Sequence, residues 1–309
     1  MNFTIASAGD PEGRSQMAFR IGLVLALFSG VPSAARAADD SGDIVAVSSR
    51  VSDDYIRKKL PDGSYRPESY AFGSGGFRGG ALSDRTIDNL GFTQIAHTIA
   101  GPLPQKQYVP TKDPADTRLL IMVYWGTTRP PEKQRHSAAF QAVLSAKQEL
   151  DLAKAGGNGA MIASAGNAFF TAMGIVQMEE ERRERLDADN AAMLGYDSWW
   201  GDTSQLKNTV FDGRRNDMIE ELEEDRYFVV LMAYDFQLLW KEKKHKLLWE
   251  TRFSIRERHN DFDKQLAAMS SAASRYFGQE SKGLRHKPAP EGQVEAGELK
   301  VIGYDSGKK

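Results

Sequence analysis

Residues 226–256 read RYFVVLMAYDFQLLWKEKKHKLLWETRFSIR, and how this stretch is read decides the fold. Its first half is the longest apolar run in the core region. Its second half alternates large apolar residues with polar ones, which is the period of a half-buried strand. Between them lies KEKKHK, a charged cluster that suits a loop left in water better than a ligand site. The expected element is therefore an antiparallel hairpin, with residues 227–240 paired to residues 247–256. The expected register sets Trp240 opposite Leu247, Leu238 opposite Trp249, Phe236 opposite Thr251 and Asp235 opposite Arg252. This places Trp249 in the core.

Working outward, DFDKQLAAMSSAASRYFG follows the hairpin, and Phe262, Leu266, Met269, Ala273 and Phe277 fall on one side of a closing helix. Asp261 or Asp263 is the expected cap of that helix, in preference to a cation site formed with His259. Upstream, RLLIMVYW is too apolar and β-branched or aromatic to be anything but a buried strand, and ESYAF and KQYVP read as further strands. Between them Ile87, Leu90, Ile95 and Ile99 recur at helical spacing after Ser83. The fold class expected is α+β: an antiparallel or mixed sheet with helices packed on one face, an α/β sandwich, interrupted by a helical insertion.

The domain plan that follows has a signal peptide over 1–37 and a leader over 38–66. The first part of the sandwich covers 67–129, the helical insertion 130–200 and the second part of the sandwich 201–278. A flexible tail occupies 279–309. The signal is read from Arg20, the apolar run 21–28 and the small-x-small ending Ala35-Arg36-Ala37, with cleavage near Ala37. That run is far short of the roughly 20 apolar residues that span a bilayer. A periplasmic or extracellular destination is expected. The chain has no Cys, so neither a lipidated cysteine nor a disulfide is available.

Inside the insertion, residues 155–178 carry no charge. Ile162, Phe169, Met173 and Val176 form a stripe expected of a helix packed on a partner, with membrane insertion the less favoured reading. The small residues there suit close helix contact, including self-association.

Four segments resemble a group of uncharacterised exported bacterial proteins: LPDGSYRPESYAFG, DPADTRLLIMVYWGTT, NAAMLGYDSWW and RYFVVLMAYDFQLLWKEKKHKLLWETRFSIRER. The order of strand, helix, apolar strand and paired strands ending in L-L-W is also distantly similar to an often lipid-anchored envelope family of unknown function with an α/β sandwich. The resemblance implies fold and compartment, and brings no catalytic residues with it. The absent cysteine departs from the lipid-anchored pattern.

Charge and motifs narrow the function classes. The formal net charge of -2 offers no field for nucleic acid. In FGSGGFRGG the G-x-G-x-x-G spacing from Gly73 and Gly75 puts Arg78 in the third slot, so a glycine loop is expected there and no phosphate cradle. The histidines His97, His136, His245, His259 and His286 show no metal-ligand spacing. There is no G-x-S-x-G. No catalytic residue, cofactor or metal is therefore assigned.

Adjacent Trp199 and Trp200 are the candidate partner-binding residues, because paired indoles in a loop can stack on sugar rings or anchor a protein. The expected function is an exported, non-catalytic cell-envelope binding or assembly protein. Its expected partner is another envelope protein or a glycan, with no nucleic acid and no membrane insertion. The alternatives are an envelope hydrolase of unrecognised type and a membrane-associated oligomer built on residues 155–178.

Overall fold

The computed structural model describes residues 44–80, 83–132, 137–196 and 212–290. They belong to one compact unit, residues 41–309. Its centre is a seven-stranded mixed sheet. The strands are β1 (Ile44–Val51), β2 (Glu68–Arg78), β3 (Tyr108–Pro110), β4 (Leu119–Thr127), β5 (Arg226–Asp235), β6 (Leu247–Arg256) and β7 (Arg285–Pro288), in the order β3-β2-β4-β5-β6-β1-β7. The pairs β2–β3 and β2–β4 are parallel and the others antiparallel.

Helices α1 (Arg85–Asp88) and α2 (Phe92–Ala100) connect β2 to β3, and α7 (Phe262–Ser274) follows β6. All three supply residues to the main core on one sheet face. Ile87, Ile95, Ile99, Phe262, Leu266 and Met269 are buried there with Val47, Ile121, Val229 and Phe253. The five residues expected on one side of the closing helix are all buried. Asp261 holds its N-cap position, yet its carboxylate pairs with Lys264. The Phe262 backbone N–H donates instead to Thr86 Oγ1 at 3.1 Å, which ties α7 to α1.

The hairpin forms, but in another register. Trp249 lies opposite Ala233 where Leu238 was expected, a shift of five residues along β5. An odd shift exchanges faces. Tyr227, Val229, Leu231 and Ala233 thus face the main core, whereas Phe228 and Val230 enter a second core on the other face. The alternation of β6 could not settle this parity, because β5 is apolar on both sides. The early end of the strand is chemical: Asp235 caps a two-turn helix, α6 (Phe236–Glu242), accepting from the Leu238 N–H at 3.0 Å. Gln237 then donates to the carbonyls of Pro114 at 2.8 Å and Thr117 at 2.7 Å, which fixes α6 on the loop before β4. Lys243, Lys244 and His245 lie exposed beyond it.

Two boundaries also move. The leader expected over 38–66 contains β1, an inner strand pairing with both β6 and β7. The tail expected over 279–309 contains β7, and Ser281 is buried where its hydroxyl meets Ser49. The glycine loop expected at FGSGGFRGG is mostly the second half of β2. A Cβ at Gly75 would stand 2.5 Å from the Tyr124 ring, so the missing side chain is what lets that aromatic lie across the strand. Gly76, at φ +110°, takes up the bulge beside it.

Candidate functional site

The insertion is a helical hairpin, α3 (Ala138–Gly156) and α4 (Gly159–Leu194). Its ends are written in the sequence. Ser137 caps α3 through the Phe140 N–H at 3.1 Å, and Gly157 takes the left-handed C-cap at φ +70°. Asn158 then caps α4 through the N–H groups of Ala160 at 3.0 Å and Met161 at 3.2 Å.

The two helices meet along alternating three- and four-residue steps, the spacing of a coiled-coil seam. On α3 the inward row is Ala139, Val143, Ala146, Leu150 and Ala153, and on α4 it is Ile162, Ala165, Phe169, Ala172 and Val176. The stripe expected on α4 is therefore largely the seam, and its partner is α3. Met173 is the exception, being exposed.

At its base the hairpin is fastened to the sheet. Leu194 and Tyr196 pack with Met218 and Leu222 of α5 (Asp212–Leu222) against Phe228 and Val230. Asn190 Nδ2 donates to the Arg129 carbonyl at 3.1 Å. Arg183 pairs with Glu223 at 2.8 Å, and Arg252 Nη1 donates to the Ala192 and Met193 carbonyls.

Among these contacts Asp187 stands out. It is buried, and its Oδ1 has no hydrogen-bond partner among the described residues. Burial first, and the neighbouring Glu223 charge second, push its carboxyl up to about 6 in spite of Arg183. Because the folded value lies above the unfolded one, ionised Asp187 costs stability above pH ~6, and the cost is relieved as pH falls from about 6 toward about 4. Asp187→Asn should therefore stabilise the protein by about 1–3 kcal/mol near neutral pH, with no gain near pH 4. Urea unfolding of both proteins across that range is the check. Parallel stability curves would show that the charge is already compensated.

The outer end of the hairpin is different. Phe170 is 74% exposed, Met178 69% and Met161 60%, and Ile175 and Met173 are also exposed. α4 is long and apolar enough to cross a membrane by length and composition, yet only 6% of that apolar window is buried in the protein. These exposed residues fall on two sides of the helix, Phe170 and Met173 on one and Met161, Ile175 and Met178 on the other, and exposed apolar surface on this scale points to an interaction site. The outer side of α3 is more charged, with Lys147, Glu149, Asp151 and Lys154 exposed, although Leu144 and Leu152 are exposed there as well.

A second feature is an open cleft of about 780 Å³ beside the start of β5 and the end of β6, lined by Asp84, Glu224, Asp225, Tyr227, Arg256 and Glu257 among others. Burial raises the Asp225 carboxyl, and burial together with Asp225 and Asp84 raises Glu257. Asp84 is shifted the other way despite burial, through bonds from Tyr227 and Thr86. Most of these charges are committed to structure: Asp84 caps α1 at the Thr86 N–H, and Glu224 pairs with Arg256 at 2.7 Å.

Trp199, Trp200 and His136 lie outside the described residues. His286 sits beside Glu221 at 3.1 Å, and His245 is exposed. No protein-family model and no curated protein matches this chain.

Proposed function

We propose that this is an exported, non-catalytic binding or assembly protein of the cell envelope, in which the α/β sandwich is the scaffold and the α3–α4 hairpin is the contact element. The exported destination rests on the signal-like segment before Ala37. The contact role is carried by one observation: a helix capped, seamed and anchored at its base leaves its own uncharged outer half in water. A surface that only had to be soluble would carry charge there.

The test is positional. A photoreactive amino acid at Phe170, introduced in the native host, should give a defined adduct on irradiation. The same group at Lys244, exposed beyond α6, should give none. Equal labelling from both positions, or none from either, would sink the reading.

A further inference from the structure

We propose that the last two turns of α4 form a pH-operated latch, which seats the α3–α4 hairpin fully on the sheet only while Asp187 is neutral. What the latch governs, the freedom of the contact element, rests on the contact role proposed above; the latch itself does not.

The hairpin is held to the body through few residues. Beyond the seam with α3, the buried positions of α4 are Asp187, Asn190, Ala191 and Leu194, which follow the i, i+3, i+4, i+7 spacing of a stripe pressed on a core. Ala191 and Leu194 enter the second core with Met218, Leu222, Phe228 and Val230. Asn190 is satisfied, its Nδ2 donating to the Arg129 carbonyl at 3.1 Å and the Leu222 carbonyl at 3.4 Å. Asp187 is the first of the four, on the side of the free hairpin, and its Oδ1 is buried without a hydrogen-bond partner among the described residues. A carboxyl group thus stands where an apolar residue would make the seat unconditional.

The surrounding charges decide which form is seated. From α4 itself come Arg183, one turn back, and Glu184, and from the turn between α5 and β5 comes Glu223. Arg183 is already paired with Glu223 at 2.8 Å. The cations of the neighbouring strands and loop are engaged as well: Arg226 with Glu221 at 3.0 Å, Arg252 with Glu250 at 3.1 Å, and Arg129 with the Gly79 carbonyl at 3.1 Å. Among the described residues no ion pair answers an ionised Asp187.

Neutral, Asp187 is a polar group of modest cost; ionised, it is a buried charge facing Glu223. Its carboxyl in the seated form is raised to about 6, burial being the larger cause and Glu223 the second. Once the base opens to water it returns to an ordinary aspartate near 4. The seated form therefore holds the proton more tightly, and acid favours seating. Opening becomes more frequent as pH climbs from about 4 to about 6, by up to roughly a hundredfold, and levels off above that. Leu194 and Tyr196 stay buried in the second core, so the base loosens and the hairpin does not come away.

Hydrogen exchange of the whole protein at about pH 4.5 and about pH 7, corrected for the intrinsic effect of pH on exchange, reads the latch. Peptides spanning residues 187–196 should open at least tenfold more often at the higher pH, roughly as the two carboxyl values require. Low urea should hardly change that opening, because it is local, whereas the exchange of β5 and α7 should rise with urea. In Asp187→Asn the base should stay as protected near neutral pH as the unaltered protein is in acid. A pH response that survives in Asp187→Asn would overturn the latch. So would a urea dependence equal to that of β5 and α7, which would mean that the base opens only when the whole protein unfolds. These readouts need no partner, so the latch can fail while the Phe170 adduct persists, and the adduct can fail while the latch stands.

Discussion

Trp249→Ala should lower the unfolding free energy by about 3–5 kcal/mol, the cost typical of emptying a buried aromatic site. The indole is 1% exposed and stacks on Phe277 at 6.2 Å between ring centroids, with Tyr108 at 6.0 Å on a tilted plane. Its neighbours on the adjoining strands are Ala233 and Val51. A small residue at 233 leaves room for the large ring, and two hydrogen-bonded strands cannot draw together to refill the space. The indole N–H has no partner among the described residues, so a small part of the present stability is already forfeited there. Trp249→Phe should accordingly recover more than half of the loss, since it keeps the ring contacts and drops the unpaired donor. Chemical denaturation of the three proteins is the measurement. A loss under about 1 kcal/mol for the alanine variant would mean the site collapses freely, contrary to the packing described.

Arg226→Leu should be as costly, about 3–5 kcal/mol, for a different reason: it strands a partner charge. Arg226 is 2% exposed at the first position of β5, with Nη1 3.0 Å from Glu221 Oε1 and Nε donating to Ser254 Oγ at 3.2 Å. Glu221 lies on α5. Burial alone would raise its carboxyl, but the bond from His286 and the charge of Arg226 bring it below the ordinary carboxylate range. This pair clamps the segment returning from the insertion to the start of the central strand β5. Removing the cation leaves Glu221 as a half-buried anion with His286 at hydrogen-bond distance. Arg226→Leu combined with Glu221→Leu should regain most of the stability, because the desolvated charge disappears along with its partner. If the double variant were as unstable as the single one, the loss would belong to packing and not to the charge.

The two cases mark where the sequence was legible. That Trp249 belongs in the core follows from its alternation with Leu247 and Thr251 on β6. Its strand partner does not follow, because β5 is apolar on both faces and fits either parity. The signal that could have shortened the expected strand is Asp235, a capping residue standing before the helix-compatible FQLLW. β1 and β7 escape the pattern because IVAVSSRV turns polar halfway along and RHKP is only four residues long and polar. Ser49 looks like a solvent residue until Ser281, Thr251 and the Glu250 carbonyl are brought to it.

The candidate surface divides in the same way. Absence of charge over 155–178 and the three–four spacing are present in the chain itself, and they announce a helix that must pack on something. The spacing does not say how many partners it has. Met161, Ile175 and Met178 are as apolar as Ile162, Phe169 and Val176, and only the path of α3 decides which of them are covered.

By itself, the sequence determined the strand character of β4, β5 and β6, the helical character of the insertion, and the buried face of α7. Each depends on a few neighbouring residues and on backbone chemistry that acts at short range. The tertiary structure alone decided the register of β5 on β6, the inclusion of β1 and β7, the burial of Asp187 and the clamp between Arg226 and Glu221. It also decided which side of α4 stays in water. Most of these depend on contacts between residues far apart in the chain, and the Arg226–Glu221 clamp on how the short turn between α5 and β5 is set; in each, several pairings satisfy the local pattern equally and only the packing of the whole chain separates them.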